Sequence, residues 1–372
     1  MWTWSLILAL IACGGDPEGP DPVSDTDVDE DVPGWYPADE VGPYKAGTAE
    51  FVITGRTGVT MKVQLWYPTS EQSGMTHSYD GLLSWEALDT PEPDCRTTRP
   101  VLAFSHGNQG MRWQSPFMVE HLATHGFVVV APDHTGNSTF DYNISRLPEL
   151  IFRRPFDIQD SVDWLFDEAS GELDGLGGCL DEANGYAVSG HSFGGYTTNA
   201  VAGASFDYAA SSAYCESAGG WLCDEVQAWI DEYPEFATVD LRDDRVWGAI
   251  PMAPAGFEVL GPGAPDAEVP FLVLGGELDN MTPMATQVTP IYEALGSEDK
   301  RLGMLIDGGH MVFSNACEMA PMSECESPYL DFELAHPAIS TTVTAWLQLQ
   351  LGHDAALDTM PFDSPLWDWG VQ

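Results

Sequence analysis

The chain has 372 residues, 44% of them hydrophobic and 11% aromatic, enough for one large or two modest domains and too apolar for a disordered or collagen-like polymer. Its 58 Asp and Glu stand against 13 Lys and Arg, a net charge of −45. A surface so negative repels phosphate backbones and excludes nucleic acid as a partner; it fits either a salty medium or solubility outside the cell.

The chain opens with an apolar run, WTWSLILALIA, up to Ala12. It is too short to span a bilayer as a lasting helix but has the size of a signal-peptide core. The order Leu10-Ile11-Ala12-Cys13 resembles the bacterial lipobox, in which cleavage precedes a cysteine that becomes lipidated, although the usual basic opening segment is missing. Residues 14–40 then carry ten acids and no base, a composition that cannot bury enough apolar surface to order itself. Its aspartates lack the central glycine and terminal glutamate of a calcium loop. The expected organisation is a lipoprotein signal peptide over 1–13, an acidic disordered tether over 14–45 and one folded domain over 46–372. The expected place is the bacterial cell envelope, lipid-anchored through Cys13, or the medium, with membrane contact through that anchor only.

From residue 48 the pattern predicts two antiparallel strands, TAEFVITG and MKVQLWYP, around the turn Arg56-Thr57-Gly58. Short continuous apolar runs follow: VLAFSH (101–106), GFVVVAP (126–132), GYAVSG (185–190), VWGAIPM (246–252), PFLVLGG (270–276) and LGMLIDG (302–308). Runs apolar on both faces read as strands of a parallel sheet covered by helices. Helical spacing recurs at Ile158, Val162, Leu165 and Phe166, and at Ile339, Val343, Trp346 and Leu347, with Gly352 placed to stop the second helix. The predicted class is α/β, a doubly wound sheet with helices on both faces. Residues 204–245 are longer than a connection needs to be and read as an inserted, lid-like segment.

Apart from Cys13, six cysteines stand at 95, 179, 215, 223, 317 and 325, an even number in a chain that reads as exported, so three disulfides are expected. Cys215 with Cys223 and Cys317 with Cys325 are near enough to close short loops, leaving Cys95 with Cys179. No CxxC pair or histidine cluster accompanies them, so no zinc or other metal is expected.

Gly190-His191-Ser192-Phe193-Gly194 is a GxSxG run between a predicted strand and the segment TTNAVAGA, the context a nucleophile elbow requires. A serine hydroxyl needs a base within reach, itself held by an acid. Asp279 after PFLVL and His310 after LGMLI supply them in the order Ser, Asp, His. Glu277 and Asp307 are rival acids. Oxyanion donors are expected at the amide of Phe193, next after the serine, and of Asn108 in the loop Ser105-His106-Gly107-Asn108-Gln109-Gly110. His106 is expected to fix that loop. Trp113, Phe193, Phe257 and Phe313 lie near these motifs and are candidates to line an apolar substrate pocket.

The segments FSHGNQGMRWQSPFMVEHLATHGFVVVAPDHTGNST, RRPFDIQDSVDWL, SGHSFGGY, LGGELDNMTP and DGGHMVFSN resemble the α/β-hydrolase branch of dienelactone hydrolases, platelet-activating-factor acetylhydrolases and bacterial cutinase-like polyester hydrolases. The match runs over roughly 48–352. It implies an α/β-hydrolase fold and a serine carboxylesterase that needs no cofactor, with Ser192, Asp279 and His310 as triad. The implied substrate is a small-molecule, lipid or polymer ester. Pro251-Met252-Ala253-Pro254 carries no acid, unlike the acetylhydrolases, and Ala255 stands where cutinase-like polyester hydrolases have tryptophan. Dienelactone hydrolases proper use a cysteine nucleophile. A phospholipase, a polyester hydrolase, a peptidase and an inactive binding lipoprotein are the competing readings.

Overall fold

A computed structural model describes residues 35–370, apart from 168–170, 172, 174 and 221. The expected signal peptide, Cys13 and the tether as far as residue 34 lie outside the described residues. Residues 35–44, expected in the tether, are packed: Ala38 and Tyr44 are buried, Arg99 sits over the Tyr44 ring at 4.4 Å, and Gln348 Nε2 donates to the Tyr36 carbonyl at 2.9 Å. The fold therefore begins before residue 46, because aromatic and small residues close the acidic stretch and have apolar surface to bury.

Among the described residues there are ten strands, β1 (Lys45–Thr54), β2 (Thr60–Thr69), β3 (Leu88–Asp89), β4 (Val101–Ser105), β5 (Val128–Pro132), β6 (Tyr186–His191), β7 (Val246–Met252), β8 (Phe271–Gly276), β9 (Lys300–Leu305) and β10 (Trp367–Trp369). They form one sheet in the order β10-β9-β8-β7-β6-β4-β5-β2-β1-β3. From β5 through β4, β6, β7 and β8 to β9 every pairing is parallel, while β2 joins β5 and β10 joins β9 antiparallel. The expected hairpin of β1 and β2 forms, its turn closed by Gly58 at φ 75°, where a side chain would be strained.

Side-chain alternation explains the continuous apolar runs. Val101 and Ala103 of β4 enter one core layer with Val128 and Val130 of β5, while Leu102, Phe104, Val129 and Ala131 enter the other. The first layer is covered by α2 (Leu147–Asp167) and α3 (Phe193–Val201), the second by α1 (Pro116–Thr124) and, at the end of the chain, a nineteen-residue helix from Phe332 to Gln350. Gly352, at φ 85°, follows that helix as predicted. This is the expected mostly parallel α/β-hydrolase architecture.

Within 204–245, α4 (Tyr208–Ala218) and α5 (Cys223–Glu232) form a helical hairpin. Cys215–Cys223 ties its tip. On α5, Trp229 stacks against Phe152 of α2 with ring centroids 6.2 Å apart; at the tip, Tyr214 meets Phe257 edge-on at 5.4 Å. Cys95–Cys179 and Cys317–Cys325 form the other two bridges. Among the described residues no helix is long and apolar enough to cross a membrane.

Candidate active site

Parallel pairing brings the carboxyl ends of β4, β6, β8 and β9 to one edge of the sheet, and the predicted site residues follow those ends. Ser192 follows β6 with φ 60° and ψ −117°, a conformation that costs a side-chain-bearing residue about 1–3 kcal/mol. The turn is over-determined. Ser192 N–H donates to the Met252 carbonyl at 2.9 Å, and its own carbonyl accepts the amides of Gly195 at 2.9 Å, Tyr196 at 3.2 Å and Ala255 at 3.1 Å. A Cβ at Gly194 would run into the Ser105 carbonyl, and one at Gly190 into the Gly194 carbonyl, so the elbow closes only with glycine at both.

Asp279 is buried, with both carboxylate oxygens occupied. One accepts the amides of Met281 at 2.7 Å and Thr282 at 2.8 Å; the other accepts the Thr282 hydroxyl and His310 Nδ1, each at 2.7 Å. Burial alone would raise the Asp279 carboxyl, but the hydrogen bond and charge of His310, with the Thr282 donors, hold it below the usual range. Of the rival acids, Glu277 instead accepts the Asp307 amide at 3.1 Å. An acid that fixes Nδ1–H leaves Nε2 to act as base. No hydrogen bond joins Ser192 Oγ to His310 Nε2 in this structure, a contact that often tightens only when substrate binds.

Two residues outside the sequence-based set tie these parts together. His191 is buried and held neutral, its ring pushed down to about 3 by burial first and by His310 second. Its Nε2–H donates to the His310 carbonyl at 2.9 Å, and its Nδ1 accepts Gln114 Nε2 at 2.9 Å. Gln114 Oε1 accepts the Gly107 amide at 2.9 Å. One buried relay thus links the loop after β4, the elbow and the histidine loop. The middle position of GxSxG marks His191 in the sequence; nothing local marks Gln114.

In the loop after β4, His106 Nδ1 donates to the Gly107 carbonyl at 2.7 Å and Nε2 accepts the His134 amide at 3.1 Å, so His106 fixes the loop. Gln109 at φ 60° turns the chain beside Asn108. Among the described residues the Asn108 amide meets no acceptor. Phe193 opens α3 directly after the serine. Of the pocket-lining candidates, Trp113 and Phe313 are 0% exposed within the core layer under α1, and Trp113 Nε1 is bound to Asp80 at 2.7 Å. Indole and phenyl rings of this size pay best when fully withdrawn from water. Phe257 is half-buried at the tip of the helical hairpin. A cavity of about 1000 Å³ lies elsewhere, between residues 39–46, α1 and the Cys317–Cys325 bridge, lined by none of the triad residues.

The prolyl oligopeptidase family model matches residues 178–319, the stretch holding Ser192, Asp279 and His310. The arrangement is that of a serine hydrolase. The match corrects the expected branch: the chain is not placed with the dienelactone hydrolases, acetylhydrolases and cutinase-like enzymes, and the findings support the α/β-hydrolase superfamily broadly. Among individual proteins, the chain is 24% identical to cutinase est1 of Thermobifida alba over 77% of its own length and 73% of the relative. It is 24% identical to cutinase cut1 of Thermobifida fusca over 73% of its length and 66% of that protein. To cutinase 2 of Thermobifida cellulosilytica it is 25% identical, over 58% and 62%. At these identities the relatives show likeness and not membership.

Proposed function

We propose that this chain is a carboxylic-ester hydrolase with Ser192 as nucleophile, His310 as base, Asp279 as the acid that orients it, and the amides of Asn108 and Phe193 as oxyanion donors. The observation that carries the reading is the pairing of Asp279 with His310 Nδ1 at 2.7 Å beside a serine held in a strained elbow. Ser192 Oγ adds to the ester carbonyl as its proton passes to His310 Nε2. The negative charge that develops on the carbonyl oxygen meets the two amides, each worth about 3 kcal/mol when aimed at it. Collapse expels the alcohol, which takes the proton from His310, and water then repeats the sequence on the acyl-enzyme. The likeness to proteins named cutinases supports an ester substrate.

The test is hydrolysis of p-nitrophenyl esters from acetate to palmitate, with fluorophosphonate labelling of the folded protein and Ser192→Ala as control. Ester turnover and labelling are both expected in the wild type only. A folded protein that takes no label overturns the reading in favour of an inactive binding scaffold. A peptidase is the second reading, favoured by the prolyl oligopeptidase match; a kcat/KM on a prolyl peptide anilide above that on every ester would put it first.

The protein acts outside the cytoplasm, in this reading, held by lipid on Cys13. Three disulfides support export, since such bonds persist in oxidising compartments. Cys13→Ser is expected to move the protein from the membrane fraction to the medium; unchanged membrane retention would discard the anchor.

A further inference from the structure

Beneath the loop after β4 lies a cation that no step of the ester mechanism uses. Arg154, on α2, is 0% exposed. Its Nη1 donates to Asn137 Oδ1 and its Nη2 to the His106 carbonyl. Nη2 also donates to Ser105 Oγ at 3.1 Å, and Nε to Thr197 Oγ1 at 3.2 Å. The guanidinium carbon stands 4.5 Å from the centroid of the Phe193 ring. All its hydrogen-bond acceptors are neutral, so the fork spends its donors on fixing backbone and amide positions. Asn137, itself fully buried, passes the restraint on: Nδ2 donates to Asn108 Oδ1 at 2.7 Å, and its carbonyl accepts the Gln109 amide at 3.1 Å.

We propose that Arg154 and Asn137 are positioning residues for the oxyanion hole, one guanidinium fixing both of its halves. It holds the Asn108 side through the His106 carbonyl and the Asn137 amide, and the Phe193 side through the ring of the residue whose N–H is the second donor. The inference rests on the assignment of Asn108 and Phe193 made above. A planar fork with five donors suits this task and a lysine ammonium does not, because only the fork reaches Asn137, His106 and Thr197 at once. Preorganised donors act only while they point at the place where the oxyanion forms, so a loosened loop loses rate in the chemical step and leaves ground-state binding nearly intact.

The experiment measures kcat and KM on one p-nitrophenyl ester in the full chain, normalised to active sites titrated to completion with a fluorophosphonate, so that misfolded molecules drop out. Asn137→Asp keeps an acceptor for Arg154 but has no N–H for Asn108; kcat per titrated site is expected to fall about 10- to 100-fold with KM within about twofold. Arg154→Lys keeps the charge without the fork and is expected to fall as far. A kcat per titrated site within about twofold of wild type in folded Asn137→Asp would overturn the inference, and that variant decides it even where Arg154→Lys does not fold. Turnover retained by Ser192→Ala would instead sink the assignment of the nucleophile, a separate failure.

Discussion

After β9, His310 Nδ1 meets the Asp279 carboxylate at 2.7 Å; behind β4, His134 Nδ1 meets the Asp157 carboxylate at 2.9 Å, and its Nε2 meets Ser105 Oγ at 2.9 Å. By hydrogen bonds alone the second chain is the more complete Ser-His-Asp array. Yet Ser105 and His134 are 0% exposed, Ser105 is the last residue of the regular strand β4, and Arg154 already donates to its oxygen. The carboxyls also move in opposite directions. Burial pushes Asp157 up to about 7 against the pull of Arg153 and Arg154, whereas Asp279 is held low by His310 and Thr282 against its own burial. Three bonded residues are therefore a structural motif until a strained turn and an open base nitrogen are added.

The sharpest break of this comparison is a pair of serine substitutions. Ser192→Ala is expected to lower ester kcat by about 10⁴-fold or more with little change in Tm. Ser105→Ala, which removes a buried acceptor, is expected to cost about 1–3 kcal/mol of stability and no more than about tenfold in kcat. Kinetics beside thermal melts of both variants check this, and the reverse pattern would exchange the two arrays.

A smaller effect separates the acids by pH. A raised carboxyl contributes stability that is present below its ordinary value and lost as pH rises through its folded value, so the Asp157 contribution fades between about pH 4 and about pH 7. Across that window Asp157→Asn is expected to gain on wild type by an amount of the order of 4 kcal/mol. Asp279 has the opposite sign: its contribution is present above the ordinary carboxyl value and lost on acidification. Melting curves of wild type, Asp157→Asn and Asp279→Asn from pH 3 to pH 8 read both slopes, and parallel curves would remove the distinction.

The parts legible in the sequence are those with a local signature. Each parallel strand announced itself as a short apolar run because both faces are covered, and Ser192, Asp279 and His310 were legible because each follows such a run in a glycine-rich or turn-opening context. Of the rival acids, the hydrogen bond to Nδ1 decided for Asp279. The rest depended on neighbours far along the chain. Gln114 reaches His191 across 77 residues and Asn137 reaches Asn108 across 29, pairings that no periodicity encodes. The burial of Trp113 and Phe313 was not legible either, because adjacency to a motif does not say which side of a loop a ring takes. The strands β3 and β10, of two and three residues, are too short to carry an alternating pattern.

The backbone of Ser192, at φ 60° and ψ −117°, sets heat resistance and turnover against each other at one position. Glycine takes such dihedrals freely, whereas any other residue carries the strain. Selection for endurance alone would favour glycine at this position, and the proposed role of Ser192 as nucleophile is what a side chain there would serve.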